Sequence, residues 1–96
     1  MHLSELRAKR EAILAIAAKH GATNVRVFGS VARDEATDTS DVDFLVDLTP
    51  NYYRSWWPAG FIVDLEDALG QRVDVATPST LHQIIRNRVL HEAVPL

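Results

Sequence analysis

Val27-Phe28-Gly29-Ser30, then ten residues, then Asp41-Val42-Asp43-Phe44-Leu45-Val46 is the stretch around which the chain is organised. An apolar run ends at a Gly-Ser corner, a polar excursion follows, and a second apolar run opens with two carboxylates. A packed core needs none of these polar pieces, so their placement points to chemistry.

Residues alternate faces along a strand, so Asp41 and Asp43 share one side, with Cα atoms about 7 Å apart at ~3.4 Å per residue. Val42, Phe44, Val46 and Leu48 fall on the opposite side, which is expected to be buried. Two hard oxygen donors on a rigid strand suit Mg²⁺, which takes its remaining ligands from water and substrate phosphates. Asp74 is a third acid, inside the short apolar run Arg72-Val73-Asp74-Val75-Ala76. If that run pairs beside Asp41–Leu48 with matching pleat, the three carboxylates converge. Glycine lets backbone approach a ligand closely, and the exposed N–H groups after Gly29, with the Ser30 hydroxyl, can hold phosphate oxygens. A phosphate cradle facing a metal-binding acid pair is suited to phosphoryl or nucleotidyl transfer. Taken singly, an Asp-x-Asp pair at a strand start is more often a turn cap or a solvated feature than a metal site. The combination and its spacing carry the reading.

The rest of the chain supplies a frame. A helix is expected from about Ser4, as N-cap, to His20, with Leu6, Ile13, Leu14, Ile16 and Ala17 on one stripe and Gly21 closing it. Val25–Phe28 reads as a strand and residues 30–35 as one helical turn. Thr49-Pro50-Asn51 ends the Asp41–Leu48 strand. Phe61, Ile62, Leu65 and Leu69 mark a helix from Ala59 to Leu69, closed by Gly70. Thr77-Pro78 looks like an N-cap and first helical position for a last helix carrying Leu81, Ile84, Ile85, Val89 and Leu90. Residues 93–96 read as a short tail. Asp34, Glu35, Asp38, Asp47, Asp64, Glu66 and Asp67 are expected to be surface charge. His2, His20, His82 and His91 lack ligand spacing. Of the seven aromatics, four lie in Tyr52–Pro58, which is either a lid over the core or a partner contact.

Ninety-six residues suit one domain, 1–96, and an apolar fraction of 47% is ordinary for a globular chain. No cysteine is present, which excludes disulfides and thiolate metal sites. No signal peptide or membrane span is visible, so the expected compartment is the cytoplasm. The net charge of −3 argues against direct nucleic-acid binding.

The motif Phe28-Gly29-Ser30-Val31-Ala32-Arg33 … Ser40-Asp41-Val42-Asp43-Phe44-Leu45-Val46 resembles the signature of the DNA polymerase β-type nucleotidyltransferase superfamily. It is similar in particular to the minimal nucleotidyltransferases, often antitoxin partners of HEPN-domain toxins. The resemblance continues through Asp64–Val75 and Arg88–Val94. It implies an α/β (α+β) fold with a small mixed sheet flanked by helices. It implies that Asp41, Asp43 and Asp74 are catalytic and bind two Mg²⁺ ions, with Asp74 near the attacking hydroxyl. Gly29, Ser30 and Arg33 would bind the nucleotide; the alternative for Arg33 is a pairing with Asp34, Glu35 or Asp38. The implied activity is transfer of AMP from ATP to a tyrosine of a HEPN toxin within a hetero-oligomer. A non-catalytic antitoxin acting by occlusion, or a small-molecule nucleotidyltransferase, are the alternatives. Many relatives carry glycine after the motif arginine. Here that residue is Asp34, whose charge beside the phosphate loop would weaken nucleotide binding.

Overall fold

A computed structural model describes residues 1–49 and 57–96. Its elements in chain order are α1 (Leu3–Ala8), α2 (Arg10–Lys19), β1 (Ala22–Phe28), α3 (Gly29–Ala32), β2 (Val42–Leu48), α4 (Ala59–Leu69), β3 (Val73–Ala76), α5 (Gln83–Glu92) and β4 (Val94–Pro95). The strands form one four-stranded sheet in the order β3-β2-β1-β4. β1 runs antiparallel to both β2 and β4, and β2 runs parallel to β3. The mixed sheet flanked by helices is the expected α/β fold.

Parallel neighbours need a crossover, and α4 supplies it between β2 and β3. Gly70 closes α4 in the left-handed conformation, φ +65°. The Glu66 carboxylate then accepts the Val73 N–H at 2.9 Å, and the Val42 N–H donates to the Arg72 carbonyl at 2.9 Å. These two bonds fix where β3 starts relative to β2. No helix among the described residues is long and apolar enough to cross a membrane.

One sheet face packs Val25, Val27, Val42, Phe44, Val46 and Val73 against Ile13 and Ala17 of α2 and Phe61 and Leu65 of α4. The other face is covered as well. Leu45 is fully buried there with Leu81 and Val89, flanked by Phe28, Ala76 and Ala93. Alternation along β2 therefore separates two packed layers. Leu48, expected in the core, is 40% exposed at the strand's end.

The first helix departs from expectation by breaking at Lys9, φ −103° and ψ 16°. Neither Ala8-Lys9 nor Arg10-Glu11 contains a helix breaker, so nothing local signals it. The break lets α1 dock separately: Arg7 donates to the Pro95 carbonyl at 2.9 Å, and His2 lies 3.7 Å from Asp34. The cap is His2 rather than Ser4, its N–H donating to the Glu5 carboxylate at 3.0 Å. The last helix also begins later than Pro78. Thr77–Leu81 is a separate turn, in which the Thr77 N–H donates to the Thr80 hydroxyl at 3.0 Å and its carbonyl accepts the Thr80 N–H at 3.0 Å. Hydroxyls that bond nearby backbone compete with helix formation. The cap of α5 is instead His82, whose Nδ1 accepts the Ile84 N–H at 3.2 Å. Residues 94–95, read as tail, add a fourth strand to β1.

Candidate active site

The site lies where β1 turns into α3 beside the starts of β2 and β3. Phe28 is extended, φ −133°, and Gly29 then takes φ +72°, a value that strains any L side chain. This corner turns the chain into α3, leaving the Ser30 hydroxyl without a bond to a described residue. Space demands glycine as much as the dihedral does. A Cβ on Gly29 would lie 2.2 Å from Asp43 Oδ2, so the Asp43 carboxylate occupies the room that the missing side chain leaves.

Asp43 is placed by register. It pairs with Phe28 across the antiparallel ladder and with Asp74 across the parallel one. Paired residues project on one side of a sheet, so Asp43 and Asp74 stand on a common face with Asp41 two residues back. The loop before them is held by its hydroxyls: the Thr37 N–H donates to the Ser40 side chain at 2.9 Å, and the Ser40 N–H to the Thr37 carbonyl at 3.1 Å.

The carboxylates do not form a closed ligand set as they stand. Among the described residues, no three His, Cys, Asp or Glu side chains are gathered to hold a metal ion. Asp41 lies 3.9 Å from Arg72, Asp74 accepts the Val75 N–H at 3.0 Å, and Asp43 lies over Gly29. Their crowding shows in Asp43, whose pKa is pushed up to about 6. Burial is the largest cause, followed by the charges of Asp74 and Asp41; Arg33 opposes the rise and Glu92 adds to it. Desolvated carboxylates sharing a site favour a proton or a cation. Hard oxygen donors on strands in matching register suit Mg²⁺ in type, and gathering them would need Asp74 to release the Val75 N–H.

Arg33 caps α3 and is bound by two acids. One of its guanidinium nitrogens hydrogen-bonds Glu92, and another lies 3.4 Å from Glu35. Of the acids considered from sequence, Glu35 is a partner, while Glu92, 59 residues away, was not foreseen. Glu92 keeps only 13% of its side chain exposed and sits one helical turn after Arg88, which lines the same cleft of about 320 Å³. The i, i+4 spacing of Arg88 and Glu92 was visible, but not the loop they face.

Asp34 takes φ +58°, a conformation that aspartate tolerates and glycine favours. Its side chain is 91% exposed and turned towards His2, and it is not among the groups that most perturb Asp43. Besides Asp34 and Glu35, three more of the acids read as surface charge are engaged. Asp47 accepts from Arg26 at 2.8 Å, Asp64 from His20 at 2.7 Å, and Glu66 anchors β3. His20 thus has a structural role, its ring tilted against Phe61 with centroids 5.6 Å apart. Of the aromatic cluster, Tyr52, Tyr53 and Trp56 lie outside the described residues. Trp57 packs on Phe61, with ring centroids 5.5 Å apart.

Comparison with known proteins identifies the family and the fold. Residues 9–95 match the family described as the nucleotidyltransferase domain. A protein of Methanocaldococcus jannaschii named "Putative protein adenylyltransferase MJ0435" is 37% identical over 95 residues, 98% of this chain and 97% of that protein. A solved structure described as "Structure of putative minimal nucleotidyltransferase" is 47% identical with a TM-score of 0.85, covering 100% of this chain and 97% of the other. A second, "Crystal structure of the toxin-antitoxin with AMP-PNP", shares the fold at TM-score 0.73 and 17% identity, over 88% of this chain and 69% of that one.

Proposed function

The chain belongs to the nucleotidyltransferase domain family and is a nucleotidyltransferase enzyme; from that premise we propose that it is an antitoxin that moves AMP from ATP onto a tyrosine hydroxyl of a HEPN-type toxin, dependent on Mg²⁺. It would do so as a single minimal domain, 1–96, in the cytoplasm, within a hetero-oligomer. The observation that carries the chemistry is the register of Asp43 with Asp74 directly over the Gly29 corner. The acceptor and direction of transfer are supported by the relative named a protein adenylyltransferase and by the fold shared with a toxin–antitoxin structure described with AMP-PNP.

In this reading Asp41, Asp43 and Asp74 would hold two Mg²⁺ ions, which neutralise charge on the phosphates when bound. Gly29 and Ser30 would receive the phosphates, the glycine because no side chain intervenes and the serine through its unengaged hydroxyl. The tyrosine oxygen forms a bond to the α-phosphorus, the bond to pyrophosphate breaks, and the leaving group departs with the electron pair. Asp74 is exposed, so an acceptor can reach it, and would take the hydroxyl proton. Arg33 would add positive charge beside Asp43.

The test is co-expression with a HEPN-type toxin. Wild-type protein should protect cells and leave the partner heavier by one or more AMP units. The double variant Asp41→Asn, Asp43→Asn should still bind yet neither protect nor modify. Full protection by the double variant, with no mass gain on the partner in either case, would establish occlusion instead.

A further inference from the structure

The Arg33–Glu92 cleft contains one guanidinium that pairs with no acid among the described residues. Arg88 lines it from α5 and makes no ion pair or hydrogen bond among the described residues. Arg33 opposite is already engaged by Glu92 and Glu35. The cleft adjoins the acids, since Arg33, which lines it, caps the four-residue α3 whose first residue, Gly29, lies against the Asp43 carboxylate. It therefore borders the place where a nucleotide's phosphates would lie, in a chain whose net charge is −3. Metal ions would offset the strand carboxylates, but Glu92 remains beside Arg33, so Arg88 is the guanidinium of this cleft that pairs with no described acid.

We propose that Arg88 is a binding residue for the nucleotide's β- and γ-phosphates, holding the pyrophosphate leaving group at the mouth of this cleft with Arg33 beside it. This rests on the nucleotidyl-transfer reading above. A guanidinium presents a planar fork of donors that matches two phosphate oxygens at once. The cleft's volume of about 320 Å³ accommodates a diphosphate, and Arg88 is exposed, so it can meet the ligand with little rearrangement. As the bond between the α-phosphorus and the bridging oxygen breaks, negative charge grows on that oxygen and passes into the leaving pyrophosphate. A cation on the far phosphates stabilises that charge, whereas AMP alone does not reach it.

The experiment is calorimetric titration of wild type, Arg88→Ala and Arg88→Lys with ATP, AMP and inorganic pyrophosphate, each in Mg²⁺. Arg88→Ala should weaken ATP and pyrophosphate binding by roughly ten- to a hundredfold, as for one charged hydrogen-bonding group, and leave AMP within about twofold. Arg88→Lys should fall between, keeping charge and losing the fork. Ligand-free melting temperatures should be unchanged, because Arg88 is exposed and has no partner to lose among the described residues. Equal weakening of ATP and AMP, or unchanged pyrophosphate binding in Arg88→Ala, overturns the assignment while leaving nucleotidyl transfer intact. If wild type binds neither ATP nor pyrophosphate, the transfer reading fails and this assignment falls with it.

Discussion

Replacing Asp43 by asparagine should stabilise the ligand-free protein at neutral pH, although it removes a central acid. The folded-state pKa is about 6 against an ordinary value of 3.8. Ionising Asp43 in the folded protein therefore works against burial and against Asp74 and Asp41. A shift of about two units corresponds to ~3 kcal/mol for a fully shielded group, and solvent at this half-buried site reduces it to about 1–2 kcal/mol. The folded state holds its proton to higher pH than the unfolded state does. Stability is thus fully present below about pH 4 and is lost as pH rises through about 6. Asp43 accepts no hydrogen bond from a described residue, so asparagine forfeits little. Asp43→Asn should raise the melting temperature by about 5–10 °C at pH 7.5, and the difference should close by pH 4. Wild type should gain further stability from Mg²⁺ with ATP, and the variant should not, since a ligand stabilises only by binding the native state. A variant that melts at or below wild type at pH 7.5, or that gains equally from Mg²⁺-ATP, would refute the reasoning.

Other outcomes follow from the same geometry. Gly70→Ala should cost about 1 kcal/mol of strain alone, because nothing lies within 4 Å of the new methyl group. Gly29→Ala, at a similar φ, should cost more and abolish nucleotide binding by displacing Asp43; equal melting temperatures for the two variants would contradict this. Ser30→Ala should slow transfer by less than about tenfold, the loss of one neutral hydrogen bond, measured as kcat/KM with labelled ATP. Asp64 behaves oppositely to Asp43: its bonds to His20 and Lys19 hold its carboxyl below the usual range. Asp64→Asn should lower the melting temperature at neutral pH, with the gap narrowing in acid as wild type loses the same charge.

Periodicity and spacing made β1, β2, β3 and the Gly70-capped helix legible, because each is set by local alternation or by a turn residue; the Asp43–Asp74 pairing was conditional on β3 lying beside β2. Other features depend on what arrives from elsewhere. Leu45 is buried because α5 covers that face, and one strand's alternation cannot announce a remote cover. Glu92 meets Arg33 across 59 residues, and β4 exists only because β1 offers an open edge. At Thr77–Leu81 two local signals competed: a proline suited to a helix start and hydroxyls suited to a closed turn, and the hydroxyls prevailed. At Lys9 the sequence carries no signal at all.

The parallel pairing of β2 with β3 has a consequence for assembly. Gly29, Ser30, Asp41 and Asp43 lie within a single antiparallel hairpin, a local structure that forms early and at low entropic cost. Asp74 joins them only after the chain has crossed back through α4 and laid down β3, a long-range contact that local structure cannot anticipate. Five of the six expected site residues thus belong to the first 48 residues, and Asp74 alone waits for the crossover to dock. A chain still folding can display the corner and two acids without the third. Catalytic competence would then switch on with the last long-range step and report that the fold is complete.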